Sequence, residues 1–153
     1  MEHLVAVIDL GKTNSKVAIV DTANAQEIEV VRQPATSRTD GLYPCLDHQA
    51  IEVFIIDALA GFSRRFSLTG ITVTTHGATA ALVEEAGELV LPVLDYEFDG
   101  VDNTWEQYST VRPDFSETGS PFLPGGLNIG AQLYWQQSVH ADSFSNALSL
   151  IHI

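Results

Sequence analysis

Residues 4–20 read LVAVIDLGKTNSKVAIV, two apolar runs separated by a polar turn. The first run, 4–8, is continuously apolar and rich in β-branched side chains, as in a strand that is buried on both faces. Turn-forming residues occupy 9–14, and the second run, 16–20, again has the composition of a strand. Because only a short turn joins the two runs, we expect a β-hairpin.

A third strand and a helix follow this hairpin in the sequence. Residues 28–31 favour a strand, and only a short polar turn precedes them, so the chain is expected to open as a three-stranded antiparallel meander. Apolar side chains then recur at helical spacing over 51–62. This spacing predicts an amphipathic helix that starts at Asp47 and stops near 68–70.

The second half of the chain alternates signals for strands, helices and loops. Strand composition returns at 71–75 and at 80–84. Residues 101–110 and 127–137 favour helices, and the Pro, Gly and Ser content of 112–126 predicts an ordered loop. We therefore expect an α/β fold in which helices flank a mixed sheet.

Composition narrows the class of protein. The 153 residues fit about one domain, and seven Lys and Arg against 20 Asp and Glu give a net charge of −13, which disfavours nucleic-acid binding. The single cysteine, Cys45, excludes an internal disulfide and fits a reducing cytoplasm. No apolar stretch approaches the roughly 20 residues that a membrane span needs, so we expect a soluble, cytoplasmic protein. The apolar ending, 148–153, suggests truncation inside a larger protein.

The turn from Asp9 to Asn14 has the composition of a phosphate-binding loop. Backbone N–H groups hold phosphate oxygens best where side chains do not obstruct them, as in a glycine turn directly after a buried strand. Asp9 would supply an oxygen ligand to hydrated Mg²⁺, and Lys12 would neutralise phosphate charge. The same residues also fit a plain tight hairpin, in which Asp9 bonds turn amides and Lys12 is solvated.

A near match to the P-loop pattern lies in the same turn. Residues 6–13 depart from G-x-x-x-x-G-K-[ST] only because Ala6 replaces the first glycine. A P-loop must follow a strand and open a helix, whereas residues 16–20 are β-branched and typical of a strand. The context therefore argues against a P-loop NTPase.

Three segments, in this order, resemble the FGGY family of carbohydrate kinases. Residues 7–17, VIDLGKTNSKV, resemble its first phosphate motif. Residues 70–77, GITVTTHG, resemble the substrate-side segment of xylulokinase-like and rhamnulokinase-like members, and 91–97, LPVLDYE, resemble the Pro-containing strand that follows it. The resemblance covers essentially the whole chain and the first third of such a kinase, and it implies a ribonuclease-H-like lobe of the actin-like ATPase superfold.

The resemblance also implies roles for individual residues. Asp9 would hold Mg²⁺, and Thr75 and His76 match the pair that contacts the sugar. The residues that would approach the terminal phosphates of ATP are Gly11, Lys12, Thr13 and Asn14. A hydroxyl and an imidazole at the carboxyl end of a strand can hydrogen-bond sugar hydroxyls, although His76 equally fits a histidine that closes a strand into a turn.

The activity implied by the resemblance is ATP-dependent phosphorylation of a ketopentose, a ketohexose or a related polyol by the full-length protein. The second lobe and the catalytic base would lie beyond Ile153, so residues 1–153 alone are expected to lack turnover. The expected partners are the sugar and ATP. No nucleic acid or membrane is expected as a partner, and a homodimer is possible. The alternative is a non-catalytic interaction module that uses an actin-like lobe for assembly.

Overall fold

The computed structural model of the protein describes residues 3–152. The described residues exclude Met1, Glu2 and Ile153. The expectations about the two chain ends partly rest on these three residues. In chain order the elements are β1 (Leu4–Leu10), β2 (Asn14–Asp21), β3 (Gln26–Pro34), β4 (Ser37–Arg38), β5 (Cys45–Leu46), α1 (His48–Ser63), β6 (Leu68–Thr75), β7 (Ala80–Val83), a 3-10 helix (Asp99–Thr104), α2 (Trp105–Val111), α3 (Phe115–Thr118), a 3-10 helix (Gly125–Leu127), α4 (Ile129–Val139), α5 (Ala141–Phe144) and β8 (Ser149–His152). The α/β class expected from the sequence is confirmed.

The described residues divide into two compact units. The first unit comprises the described chain up to Thr36 together with Asp47–His76, and the second comprises Ser37–Leu46 together with the described chain from Gly77 onward. Both the 9–14 turn and the 75–76 pair lie in the first unit. The candidate site is therefore described within that unit.

A four-stranded mixed sheet forms the first unit, in the order β3-β2-β1-β6. β1 pairs antiparallel with β2, β2 pairs antiparallel with β3, and β1 pairs parallel with β6. The register places Asp9 opposite Lys16 and Leu10 opposite Thr75. Because β1 and β6 are parallel, their carboxyl ends lie at the same edge of the sheet.

Helix α1 packs on this sheet through a buried apolar cluster. The Asp47 side chain caps the helix by accepting a hydrogen bond from the Ala50 N–H at 3.1 Å. Phe62, near the end of the helix, is 0% exposed and lies in one cluster with residues of β1 and β2. The strand residues of the cluster are Leu4, Ala6, Ile8, Val17 and Ile19. This cluster fixes the strand register, since a slip of one residue would turn the apolar side chains to the other face.

The helix ends earlier than the sequence predicts. α1 stops at Ser63, not near 68–70, and Arg64 is its C-cap. Residues 68–70 already belong to β6, whose first residue, Leu68, pairs with Leu4. The prediction was wrong because the apolar helical spacing ends at Phe62 and does not extend to 68–70, where the β-branched Thr69 favours a strand.

The second unit consists of short strands and short helices. β4 pairs with β5 and β7 pairs with β8, both antiparallel. Its buried cluster contains aromatic and aliphatic side chains from the segments around residues 43–45, 94–101 and 131–135, namely Tyr43, Cys45, Leu94, Val101, Ala131 and Trp135. None of the helices within residues 3–152 is long and apolar enough to cross a membrane.

Two elements of the second unit differ from the sequence predictions. Residues 112–126 are not a loop throughout, because they contain α3 and the start of the 3-10 turn Gly125–Leu127. The helix expected over 101–110 begins in the 3-10 form and becomes α-helical only at Trp105. Helical segments this short contain too few residues to show a hydrophobic period, so the sequence pattern does not reveal them.

The Pro-containing strand that the resemblance implies at 91–97 does not form, and residues 96–97 lie in a turn. A single isolated bridge joins Leu94 to Cys45, and no ladder is assigned there. The backbone nevertheless follows residues 44–46, because Leu46 N donates to Val93 O at 2.9 Å and Asp95 N donates to Pro44 O at 3.0 Å.

Candidate functional site

Two segments meet at the carboxyl edge of the parallel pair β1 and β6. The Thr75 hydroxyl donates a hydrogen bond to the backbone oxygen of Leu10 at 3.2 Å. The backbone N–H of His76 donates to the same oxygen, also at 3.2 Å. The fold therefore brings together the two segments that the sequence analysis assigned to phosphate and to sugar.

Asp9 lies near the carboxyl end of β1 and is paired with Lys16. The Lys16 Nζ donates to Asp9 Oδ2 at 3.0 Å, and the two side chains are 40% and 41% exposed, respectively. Because solvent screens a pair this exposed, its contribution to stability is small. The same exposure leaves the carboxylate accessible to a hydrated cation.

Lys16 is a site residue that the sequence analysis did not assign. The predicted hairpin could have revealed it, because the register of a β-hairpin places particular residues of its two strands directly opposite each other. Asp9 and Lys16 are such a cross-strand pair. The lysine in the turn, Lys12, was assigned to phosphate instead.

Gly11 closes the hairpin by a close backbone approach. Its N–H donates to Asn14 O at 2.9 Å, and a Cβ added to Gly11 would lie 3.1 Å from that same oxygen. Glycine suits this position because an added Cβ would press on the Asn14 carbonyl. The Gly11 N–H and the Asn14 oxygen are therefore engaged with each other within the hairpin.

The tip of the turn holds polar groups close together. Asn14 Nδ2 donates to Thr13 Oγ1 at 3.2 Å, and both residues are exposed. The backbone carbonyl oxygen of Thr13 accepts a hydrogen bond from Ala35 N at 2.9 Å, which fixes the tip against the chain that leaves β3. A hydroxyl, an amide and the half-buried Lys12 thus share one short turn, a composition suited to phosphate oxygens.

The structure excludes the P-loop hypothesis. Strand β2 begins at Asn14, directly after the turn. A P-loop depends on a helix N-terminus at this position, which aims its N–H groups at the phosphates. The pattern match at 6–13 is therefore coincidental.

Asp9 offers one accessible carboxylate, a ligand type that Mg²⁺ accepts. Within residues 3–152, no group of three or more His, Cys, Asp or Glu side chains is placed to hold a metal ion. Mg²⁺ usually keeps several waters and takes one or two carboxylates together with substrate phosphates. The accessible carboxylate of Asp9 matches that requirement.

A buried carboxylate in the second unit also escaped the sequence analysis. Asp95 is 6% exposed, and its Oδ2 accepts a hydrogen bond from Ser37 Oγ at 2.6 Å. Its Oδ1 accepts from the Glu97 N–H at 3.0 Å. Hydrogen bonds of this kind offset the cost of burying a charge, so the segment 95–97 is held in a defined turn.

Comparison with known proteins identifies relatives of this fold. No family model matches the chain, and no curated protein matches it. The crystal structure of a carbohydrate kinase from Novosphingobium aromaticivorans matches 95% of the chain with a TM-score of 0.85 and 35% sequence identity. The matched region is 31% of that protein.

Two more distant structures share the fold. Ligand-bound xylulose kinase from Lactobacillus acidophilus matches 98% of the chain, with a TM-score of 0.79, 14% identity and 31% of its own length covered. Plasmodium falciparum glycerol kinase with ADP matches 94% of the chain, with a TM-score of 0.74, 11% identity and 30% of its own length covered. The chain has the α/β fold of these carbohydrate kinases and spans about 31% of their length. The resemblance to carbohydrate kinases is confirmed.

Proposed function

We propose that the chain is the N-terminal part of a sugar kinase that transfers the γ-phosphoryl group of ATP to a hydroxyl of a ketopentose, a ketohexose or a related polyol. One observation carries the proposal: the phosphate turn and the sugar-side pair Thr75–His76 meet on the backbone oxygen of Leu10. The 35% identical relative, which is a carbohydrate kinase, supports the same reaction class.

On the phosphate side, the work of the site is positioning and charge neutralisation. Asp9 would hold hydrated Mg²⁺, which would offset the negative charge of the phosphates. Lys16 orients the Asp9 carboxylate from across the hairpin, at 3.0 Å. Lys12, Thr13 and Asn14 contact the terminal phosphates, next to the tight backbone turn at Gly11.

On the sugar side, His76 recognises hydroxyl groups. An imidazole can donate from one ring nitrogen and accept at the other, so it matches a hydroxyl of the substrate in either sense. An analogue without that hydroxyl forfeits its hydrogen bond to the imidazole, which is how a polar site discriminates against it. We place the carboxylate that accepts the proton of the attacking hydroxyl beyond Ile153, and we therefore expect no turnover by residues 1–153 alone.

The test is an ADP-release assay on the longest natural protein that carries this sequence, with Mg·ATP and a panel of ketoses. We expect ADP release with at least one ketose, and loss of that release in Asp9→Asn. The matched control is Asp57→Asn, which alters an exposed carboxylate on α1. Binding of ATP without release of ADP for any sugar would contradict the proposal.

A second candidate function is assembly through the open side of the sheet. β6 is one of the two edge strands of the four-stranded sheet formed by the described residues, and Ile71 and Val73 on it are each 58% exposed. An interaction module would use this surface to associate with a second copy. Sedimentation that shows self-association of both the natural chain and Asp9→Asn, unchanged by Mg·ATP, would favour this function over the kinase.

A further inference from the structure

A single peptide group joins the two halves of the candidate site. The Leu10–Gly11 peptide accepts hydrogen bonds through its oxygen from Thr75 Oγ1 and from the His76 N–H, both at 3.2 Å. Through its own N–H, which belongs to Gly11, it donates to Asn14 O at 2.9 Å. Because a peptide group is planar, its C=O and N–H cannot turn independently. A tilt that changes the bond to the phosphate turn therefore also moves the oxygen that holds Thr75 and His76.

The bond to Leu10 limits what Thr75 can offer a sugar. A threonine hydroxyl carries one proton, and in this structure that proton is directed to the Leu10 oxygen. Thr75 can then meet a sugar hydroxyl only as an acceptor. Its donor capacity serves the protein backbone instead, at the residue immediately before Gly11.

The same strand contains a second threonine bond of the same kind, at its other end. Thr69 Oγ1 donates to the backbone oxygen of Leu4 at 2.9 Å. Threonine hydroxyls thus fasten β6 to β1 at both ends, and only the Thr75 bond lies at the candidate site. The pair Thr69 and Thr75 separates the mechanical effect of such a bond from its effect on the site.

We propose that Thr75 is a positioning residue that couples the sugar-side segment to the phosphate turn through the Leu10–Gly11 peptide. The inference rests on the proposed function, because it assigns phosphate to the 11–14 turn and sugar to His76. When the turn binds phosphate, the peptide reorients and its two donors follow, so the position of His76 depends on the nucleotide. Coupling of this kind is reciprocal, so sugar bound at His76 also changes the affinity of the turn for phosphate.

The test follows backbone amide resonances of Gly11 and His76 by NMR while Mg·ATP is added to the longest natural protein that carries this sequence, called the natural chain below. In the natural chain we expect both resonances to shift with the same apparent affinity. Thr75→Val keeps the β-branched shape and removes the hydroxyl, so the Gly11 shift should persist while the His76 shift falls to about half or less. Thr75→Ser should restore the His76 shift, and Thr69→Val should leave both shifts unchanged.

The outcomes separate the inference from the function on which it rests. A natural chain in which Gly11 does not respond to Mg·ATP contradicts the proposed function, and the coupling with it. A natural chain in which Gly11 responds, with an equal His76 response in Thr75→Val, contradicts the coupling alone. An equal loss of the His76 response in Thr69→Val would show that general loosening of β6, and not the bond at the site, is responsible.

Discussion

Lys16 and Asp9 face each other across the first hairpin, with the lysine Nζ 3.0 Å from the carboxylate Oδ2. The pair occupies directly opposite positions in the register of β1 and β2. It lies beside the glycine turn and is accessible to solvent. This relationship gives Asp9 a defined orientation at the edge where the sugar-side segment also ends.

Removal of the lysine should have little effect on stability. Because the pair is about 40% exposed on each side, we expect Lys16→Gln to lower the free energy of unfolding by about 1 kcal/mol or less. The affinity for Mg·ATP should fall by a larger free energy than the stability does, because Asp9 loses the lysine that orients its carboxylate. Urea unfolding and calorimetric titration measure the two effects. A large loss of stability with unchanged Mg·ATP affinity would show that the pair is structural.

Gly11→Ala should strain the hairpin. The new Cβ would lie 3.1 Å from Asn14 O, so the backbone of the turn must shift, and we expect a loss of about 1–3 kcal/mol in the free energy of unfolding. Gly41→Ala is the matched control, because nothing lies within 4 Å of its added Cβ. There we expect no loss, or a slight gain from reduced freedom of the unfolded chain. Equal unfolding midpoints for the two variants would refute the close-approach argument.

Asp47→Ala should weaken helix α1. Asp47 accepts a hydrogen bond from Ala50 N at 3.1 Å, and loss of an N-cap typically costs about 1 kcal/mol. Asp57→Ala, within the exposed part of the same helix, should cost nothing by the same measurement, since alanine favours helix. Thermal unfolding followed by circular dichroism distinguishes them, and a larger loss from Asp57→Ala would be inconsistent with the cap.

Gln132→Met should lower stability by weakening the turn that follows β6. The buried Gln132 amide donates to Ala78 O at 2.7 Å and to Gly126 O. Ala78 has a φ of 58°, a left-handed conformation that is costly for alanine and needs such support. Loss of the donors leaves two carbonyls unpaired, so we expect about 1–3 kcal/mol lower stability, against no change for the exposed Gln137→Met. Equal stabilities of the two variants would count against this role.

Tyr43 should make stability depend on alkaline pH. Burial raises the pKa of Tyr43 from 10.0 to about 12, while the hydrogen bond from Gln136 partly opposes the shift and Cys45 adds to it. The folded chain therefore keeps the phenol proton to a higher pH than the unfolded chain. The resulting stabilisation is complete below pH 10.0 and is lost as the pH rises to about 12.

The measurement is the free energy of unfolding at a series of alkaline pH values, for the natural chain and Tyr43→Phe. We expect the natural chain to lose stability more steeply over that range, because only it has this phenol. The variant should also be less stable at neutral pH, since Pro92 O and Gln136 lose the hydroxyl that bonds them at 2.8 and 2.9 Å. Parallel pH profiles would show that Tyr43 titrates normally.

The first unit is largely predictable from sequence because its signals are local. Two β-branched runs around one glycine turn define the hairpin, and apolar spacing over 51–62 defines α1. The end of α1 is less predictable, since Leu68 favours helix by itself and is in a strand only because β6 pairs with β1.

The features that the sequence does not predict depend on contacts between residues far apart in the chain. Ser37 and Asp95 lie 58 positions apart yet are 2.6 Å from each other, and no local pattern signals that bond. The bond from Thr75 to Leu10 spans 65 positions and requires the parallel pairing of two strands. The family resemblance predicts a sugar contact for Thr75, and the structure adds the backbone oxygen of Leu10 to which its hydroxyl donates.

The most direct test of the central claim is to detect the phosphorylated sugar itself. The longest natural protein that carries this sequence is incubated with Mg·ATP and each ketose in turn, and the sugars are analysed by mass spectrometry. The account predicts that at least one ketose gains a single phosphoryl group in step with ADP formation, with Asp57→Asn as active as the natural protein and Asp9→Asn inactive. Conversion of ATP to ADP and free phosphate with every sugar unmodified would contradict it.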